Sequence, residues 1–203
     1  MLTKIKNRIM NYIFLHMTNM QEQKEYDKLR KFKDRFLAVG EALYLAKDFK
    51  ILNPENIRLG DSFAAKERLR MEAITQYGDQ NFSPQIIIGS NVTFNNDCHI
   101  GCINELNIED NCLFASRVFI SDHDHGKTTL DSLELPPTKR LLHSKGKVTI
   151  RKNVWVGEGV AILAGVTIGE NSIIAANSVV TKSFPSNVVI GGVPAKIIKA
   201  IDE

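Results

Sequence analysis

The stretch ISDHDHGK at residues 120–127 sets His123 and His125 beside Asp122 and Asp124. Imidazole titrates near neutrality, so such a ring can take up or release a proton at working pH. A neighbouring carboxylate can fix its tautomer and stabilise the imidazolium. Either aspartate is placed to do so. In an extended segment His123 and His125 can also point the same way, and with His99 they offer three imidazoles to a zinc-like ion. The plainer reading of any one of these rings is a solvated loop residue. His99 and His143, with no motif around them, are read that way.

These histidines interrupt a chain that otherwise counts in sixes. From Ile150 every sixth residue is apolar: Ile150, Val156, Ile162, Ile168, Ile174 and Val180. Four residues after each of the first five comes a smaller one: Val154, Val160, Val166, Ser172 and Ser178. The spacing is neither helical nor that of alternating strands. It predicts short strands joined by tight turns, three to a triangular coil, with the large residues stacked into a continuous core. Further upstream the triplets Val39–Leu45–Ile51, Leu59–Ala65–Met71, Ile88–Phe94–Ile100 and Ile108–Phe114–Ile120 continue the pattern, giving about six coils. Ala65 and Met71 fit it least well. Cys98 and Cys112 occupy the small inward position, Cys102 lies near a corner, and no basic partner in register argues for a thiol nucleophile.

Two longer departures break the count, residues 72–87 and 121–149, and loops of that length in a compact repeat usually serve function. Residues 1–37 read as a helical extension that caps the solenoid, with Leu29, Phe32, Phe36 and Leu37 on an apolar face. They carry nine Lys/Arg against four Asp/Glu, while the whole chain stands at +3. That balance argues against a nucleic-acid binder and leaves peripheral contact with an acidic membrane surface as the lesser alternative for this segment. No apolar run is long enough for a membrane span. With three cysteines in no framework spacing, the expected setting is the reducing cytoplasm.

The segments NVWVG (153–157), VVTKSFP (179–185) and GGVPAKIIK (191–199) resemble the signature of the hexapeptide-repeat acyltransferases, especially the galactoside, maltose and polysaccharide O-acetyltransferases. The resemblance runs through most of residues 39–199. It implies an all-β solenoid, a left-handed parallel β-helix spanning 38–203, assembled as a homotrimer with acetyl-CoA in the clefts between subunits. It also implies direct acetyl transfer to a sugar hydroxyl without a metal, with His123 as general base and His125 as helper or bystander.

Other positions carry over singly. Asn95 matches an asparagine that contacts the acceptor sugar, and Asn81 stands where the family has a serine. Asp122, Asp124 and His125 complete the expected acceptor side. Trp155 matches the aromatic of the acetyl-CoA cleft, Gly157 stands with it on the cofactor side, and Ala176, Thr181 and Lys182 match the positions along which pantetheine and phosphates lie. Lys196 and Lys199 replace arginines near the CoA phosphates, keeping the charge and losing the bidentate fork. N-acetylation of an amino sugar is the near alternative. A metal hydratase resembling the gamma-class carbonic anhydrases is the distant one, and the close His-x-His pair does not match its ligand spacing.

Overall fold

The computed structural model describes residues 20, 29 and 32–201. The chain divides into two units, Met1–Arg35 and Phe36–Glu203. Of the expected helical extension at 1–37, residues 1–19, 21–28, 30 and 31 lie outside the described residues. Phe32 and Lys33 are helical, but the chain turns at 34–35, so Phe36 and Leu37 do not extend that helix as the pattern suggested. Phe36 is buried. The Leu37 N–H is shared between the carbonyls of Pro54 and Ile57.

The second unit is a three-sided parallel coil. Each turn contributes one short strand to each of three sheets. The first face stacks 38–39, 57–59, 85–88, 105–108, 148–150 and 167–168. The second begins at 44–45 and ends with an antiparallel pair, Val188–Gly192 and Ala195–Ala200. The third stacks 50–52, 70–73, 99–102, 119–121, 161–162 and 179–180. The register is the one the six-residue period predicts. Leu59, Ile88, Ile108, Ile150 and Ile168 stand one above another. So do Ala65, Phe94, Phe114, Val156 and Ile174 on the second face, and Met71, Ile100, Ile120, Ile162 and Val180 on the third. Beyond the six coils, Phe184 and Ile190 begin a partial seventh.

The weakest triplet in the sequence has a packing explanation. Ala65 is fully buried in a column that wants a large residue, while Phe63, in the small position of the same unit, is also fully buried. Its ring lies 6.0 Å from that of Phe94, which stacks on Phe114 at 4.3 Å. The two positions have exchanged volume, and the core stays filled.

Two edges of the prism are regular. Between the first and second faces each turn places a residue at positive φ, among them Asn91, Asn111, Asn153, Asn171 and Asn187 at 56–60°. Asparagine tolerates this left-handed geometry better than most side chains. Here the amides also join into a ladder, each donating to the next at 2.9–3.2 Å. The third edge, from the third face back to the first, is where the chain departs. A short 3-10 turn at Pro54–Asn56 lies there, as do the bend at 103–104 and both long excursions.

Candidate active site

His123 stands two residues past the end of the third-face strand Phe119–Ser121. Its Nδ1 lies 3.0 Å from Oδ1 of Asp122, and a carboxylate only accepts, so the ring proton rides on Nδ1 and Nε2 is left as the basic atom. Asp122 is fully buried. Its two oxygens also accept the N–H groups of Ile103 (2.9 Å) and Asn104 (2.7 Å) and the Cys102 thiol (3.3 Å). Those two N–H groups belong to the bend that the eight-residue step from Ile100 to Ile108 inserts at the third edge. The insertion one coil below thus supplies the donors that hold the carboxylate in place. Ser121 braces the same turn: its hydroxyl accepts from the His123 N–H at 3.2 Å and donates to the His123 carbonyl at 2.9 Å.

The two excursions wall the site by binding each other. Residues 76–77 and 80–81 form a hairpin turning at Gly78, and Asp124–His125 pairs antiparallel with Leu142–His143. Gln80 donates to the Leu142 carbonyl at 3.1 Å and accepts its N–H. The Tyr77 hydroxyl donates to the Thr138 carbonyl at 2.9 Å. It lies 3.3 Å from His125 Nδ1, whose N–H it accepts, and the two rings meet edge to face. Together they bound a cavity of about 390 Å³ lined by His123, His125, His99, Arg70, Glu72 and Tyr77, among others.

Arg70, Glu72 and Tyr77 were not singled out from the sequence, and His99, read there as a solvated loop residue, instead starts the third-face strand His99–Cys102. Glu72 is 8% exposed and ion-paired with Arg70 at 2.8 Å, and His99 Nε2 lies 3.2 Å from it. Burial opposes its ionisation, but the hydrogen bond and charge of Arg70, then His99, outweigh that cost and hold the carboxyl below its ordinary range. Burial, aided by the charge of Arg70, lowers the pKa of His99 against the pull of Glu72. The signal for these residues was the period itself. Arg70, His99 and Phe119 precede core residues of the third column, and Glu72, Gly101 and Ser121 follow them, so the two sets form adjacent outward rows.

Several expected site residues stand elsewhere. Asp122 is turned into the protein and cannot touch an acceptor. Asp124 lies in the antiparallel pair and ion-pairs with Lys145 at 3.7 Å. The Asn95 amide donates to the Phe114 carbonyl at 3.1 Å, and Asn95 does not line the cavity. Asn81 lines a neighbouring hollow with Ser83, Asn104 and His143. None of Trp155, Gly157, Ala176, Thr181, Lys182, Lys196 and Lys199 borders the His123 cavity within one chain. Trp155 is 51% exposed on the second face, in a row with Leu113, Ile173, Val189 and Lys199. Thr181 and Lys182 are exposed just past the last third-face strand. Gly157 has a packing reason for its identity, since a Cβ there would sit 2.6 Å from the Ala176 backbone nitrogen.

The three thiols are buried. Burial pushes Cys98 and Cys112 up to about 11, and burial with the Asp122 charge pushes Cys102 higher. Among the described residues no group of three His, Cys, Asp or Glu is arranged to hold a metal ion. Each cavity histidine already has its own partner.

Residues 147–182 match the model of the bacterial transferase hexapeptide family, six repeats. The chain is 40% identical over 153 residues to the putative lipopolysaccharide biosynthesis O-acetyl transferase WbbJ of Escherichia coli K12, covering 73% of this chain and 74% of that protein. It superposes on a galactoside acetyltransferase solved with coenzyme A at a TM-score of 0.58 and 30% identity, over 84% of this chain and 68% of the other. It also superposes on a point mutant of AntD, a Bacillus cereus N-acyltransferase solved with dTDP and coenzyme A. There the TM-score is 0.72 at 23% identity, over 87% and 89% of the two chains, a likeness of fold.

Proposed function

Since the chain belongs to the hexapeptide-repeat acyltransferases and is an acetyl-CoA-dependent enzyme built on a left-handed parallel β-helix, we propose that it moves an acetyl group onto a sugar hydroxyl with His123 as general base. The observation that carries this reading is the buried Asp122 carboxylate at His123 Nδ1, on the wall of an open cavity. A sugar hydroxyl is far too weakly acidic to attack a thioester unaided at neutral pH. A base of near-neutral pKa must take its proton as the C–O bond forms.

In this scheme the acceptor oxygen attacks the acetyl carbonyl while its proton passes to His123 Nε2. The carbonyl electrons become a tetrahedral oxyanion, which requires a fixed N–H donor. Its collapse breaks the C–S bond, and the imidazolium returns its proton to the departing CoA thiolate. Asp122 holds the ring throughout and stabilises the imidazolium without taking its proton. Acetyl-CoA supplies the activated acyl group, and no covalent enzyme intermediate is needed.

The donor side of the site is then completed by a second subunit. Trp155 and the lysines at 182, 196 and 199 lie off the cavity of their own chain. An exposed apolar row on the second face, with Leu113 43% and Trp155 51% exposed, suits burial against a neighbour. A homotrimer brings a second face of one subunit to the third face of the next.

The test is acceptor-dependent release of CoA from acetyl-CoA across sugars, amino sugars and nucleotide sugars, comparing wild type, His123→Ala and His125→Ala. Loss of release in His123→Ala with retention in His125→Ala supports the assignment, and the reverse moves the base to His125. Release with amines alone makes the enzyme an N-acetyltransferase. Mass measurement in solution tests the trimer.

A further inference from the structure

We infer that Arg70 and Glu72 form the acceptor-recognition site, gripping a pair of adjacent ring hydroxyls beside the one that is acetylated. This rests on the transferase reading above and adds a substrate class, neutral vicinal diols, to it.

Both hydrogen bonds to the Glu72 carboxylate end on one oxygen, Oε2, from Arg70 Nη2 and His99 Nε2. Oε1 receives none. Among the described residues no buried side-chain oxygen or nitrogen lacks a partner, so Oε1 is open, and Glu72 lines the cavity. Arg70 spends only Nη2, and its other N–H groups make no bond among the described residues. An anionic acceptor oxygen and cationic donor N–H groups thus stand side by side with no net charge between them. One hydroxyl donates to Glu72 while its neighbour accepts from Arg70. An acceptor carrying a full charge at this point would upset the pair. His99 turns its Nε2 toward Glu72 Oε2 at 3.2 Å, steadying the carboxylate.

The register places this pair correctly for the chemistry. Glu72, Gly101 and Ser121 are neighbours across the third face, and His123 follows two residues later. Glycine in the middle leaves a gap between Glu72 and Ser121, which stand two strand spacings apart, about 9.6 Å. A Cβ at Gly101 would reach within 3.2 Å of His123 Cε1 and 3.9 Å of His99 Nε2, so the missing side chain opens the path from one group to the other.

Binding is measured first, because it needs no turnover. Methyl hexopyranosides, their singly deoxygenated forms and forms with an amine replacing one hydroxyl are titrated into wild type by saturation-transfer NMR. CoA release is then followed with the same compounds. The expected result is that removing either of two adjacent hydroxyls weakens binding about ten- to a hundredfold, the range of a hydrogen bond to a charged group. Folded Glu72→Gln should show the same loss and no longer discriminate against the deoxygenated forms, while its KM for acetyl-CoA stays unchanged. Should Glu72→Gln not fold, the wild-type deoxygenation series decides alone. Indifference to every deoxygenation, failure of all glycosides to bind, or preference for the amines overturns the inference. Diol-dependent binding without CoA release would instead overturn the transferase reading and leave the diol site standing.

Discussion

Replacing Asp122 with asparagine changes one atom in a site where every lone pair is used. Oδ1 accepts from His123 Nδ1 and Ile103 N–H; Oδ2 accepts from Asn104 N–H and Cys102 Sγ–H. Whichever oxygen becomes NH₂, a donor then faces a backbone donor at 2.7 or 2.9 Å. An unsatisfied buried group costs about 1–3 kcal/mol, which for a chain of this length lowers Tm by roughly 2–12 °C. If the amide turns its nitrogen toward His123, the ring must accept at Nδ1, its proton moves to Nε2, and the basic atom is lost. General-base catalysis contributes about 10²–10⁴ in rate, so kcat should fall within that range while the KM for acetyl-CoA holds. The assay is initial-rate CoA release on protein shown by thermal melting to be folded. A kcat within about threefold of wild type would refute the assignment of the base and its tautomer.

Gly101→Ala should fold normally yet lose about tenfold in kcat, because the added methyl presses on His123 Cε1 and shifts the ring by a few tenths of an ångström; an unchanged kcat would show the gap to be incidental. Asn111→Ala removes two rungs of the amide ladder and leaves alanine at φ 60°. A loss of about 2 kcal/mol follows from the strain alone, read as a lower denaturation midpoint with activity intact at low temperature. Gly157→Ala should destabilise the fold by about 1–3 kcal/mol through overpacking, read as a lower Tm, and a rise in the acetyl-CoA KM without any change in Tm would instead make it a cofactor position. The lowered pKa values of His99 and Glu72 mean that the folded protein binds fewer protons than the unfolded chain. Their contribution is complete above the unfolded His value of 6.5 and is lost as pH falls toward the folded ones. Wild type should lose stability between pH 7 and 5 while His99→Gln loses less, and a difference between the two that does not vary with pH would contradict this.

Much of the fold was written in the six-residue phase, since each inward column is set by one residue type at one spacing. The register followed from it without further information. Ala65 was misleading because volume had been exchanged with Phe63, a trade visible only when both are seen to fill one layer. The site was half legible. His123 and His125 announced themselves by composition, while Arg70, Glu72 and His99 lie in other coils and meet them only through stacking. Their common offset from Met71, Ile100 and Ile120 is the trace that sequence does hold. The direction of Asp122, into the protein, depended on two backbone N–H groups that only the bend at 103–104 exposes.

The third edge separates two kinds of demand on the chain. Elsewhere on the prism, a residue added or removed would shift whole columns out of phase. At this edge, steps of different length close on the same next strand, so the solenoid is indifferent to how much chain is spent there. A peptide spliced near Leu130, 86% exposed, should leave the coils assembled, whereas the same peptide at Asn153 would not. Segments at this one edge can therefore be exchanged while the coils and His123 keep their places, rebuilding only the wall around the cavity.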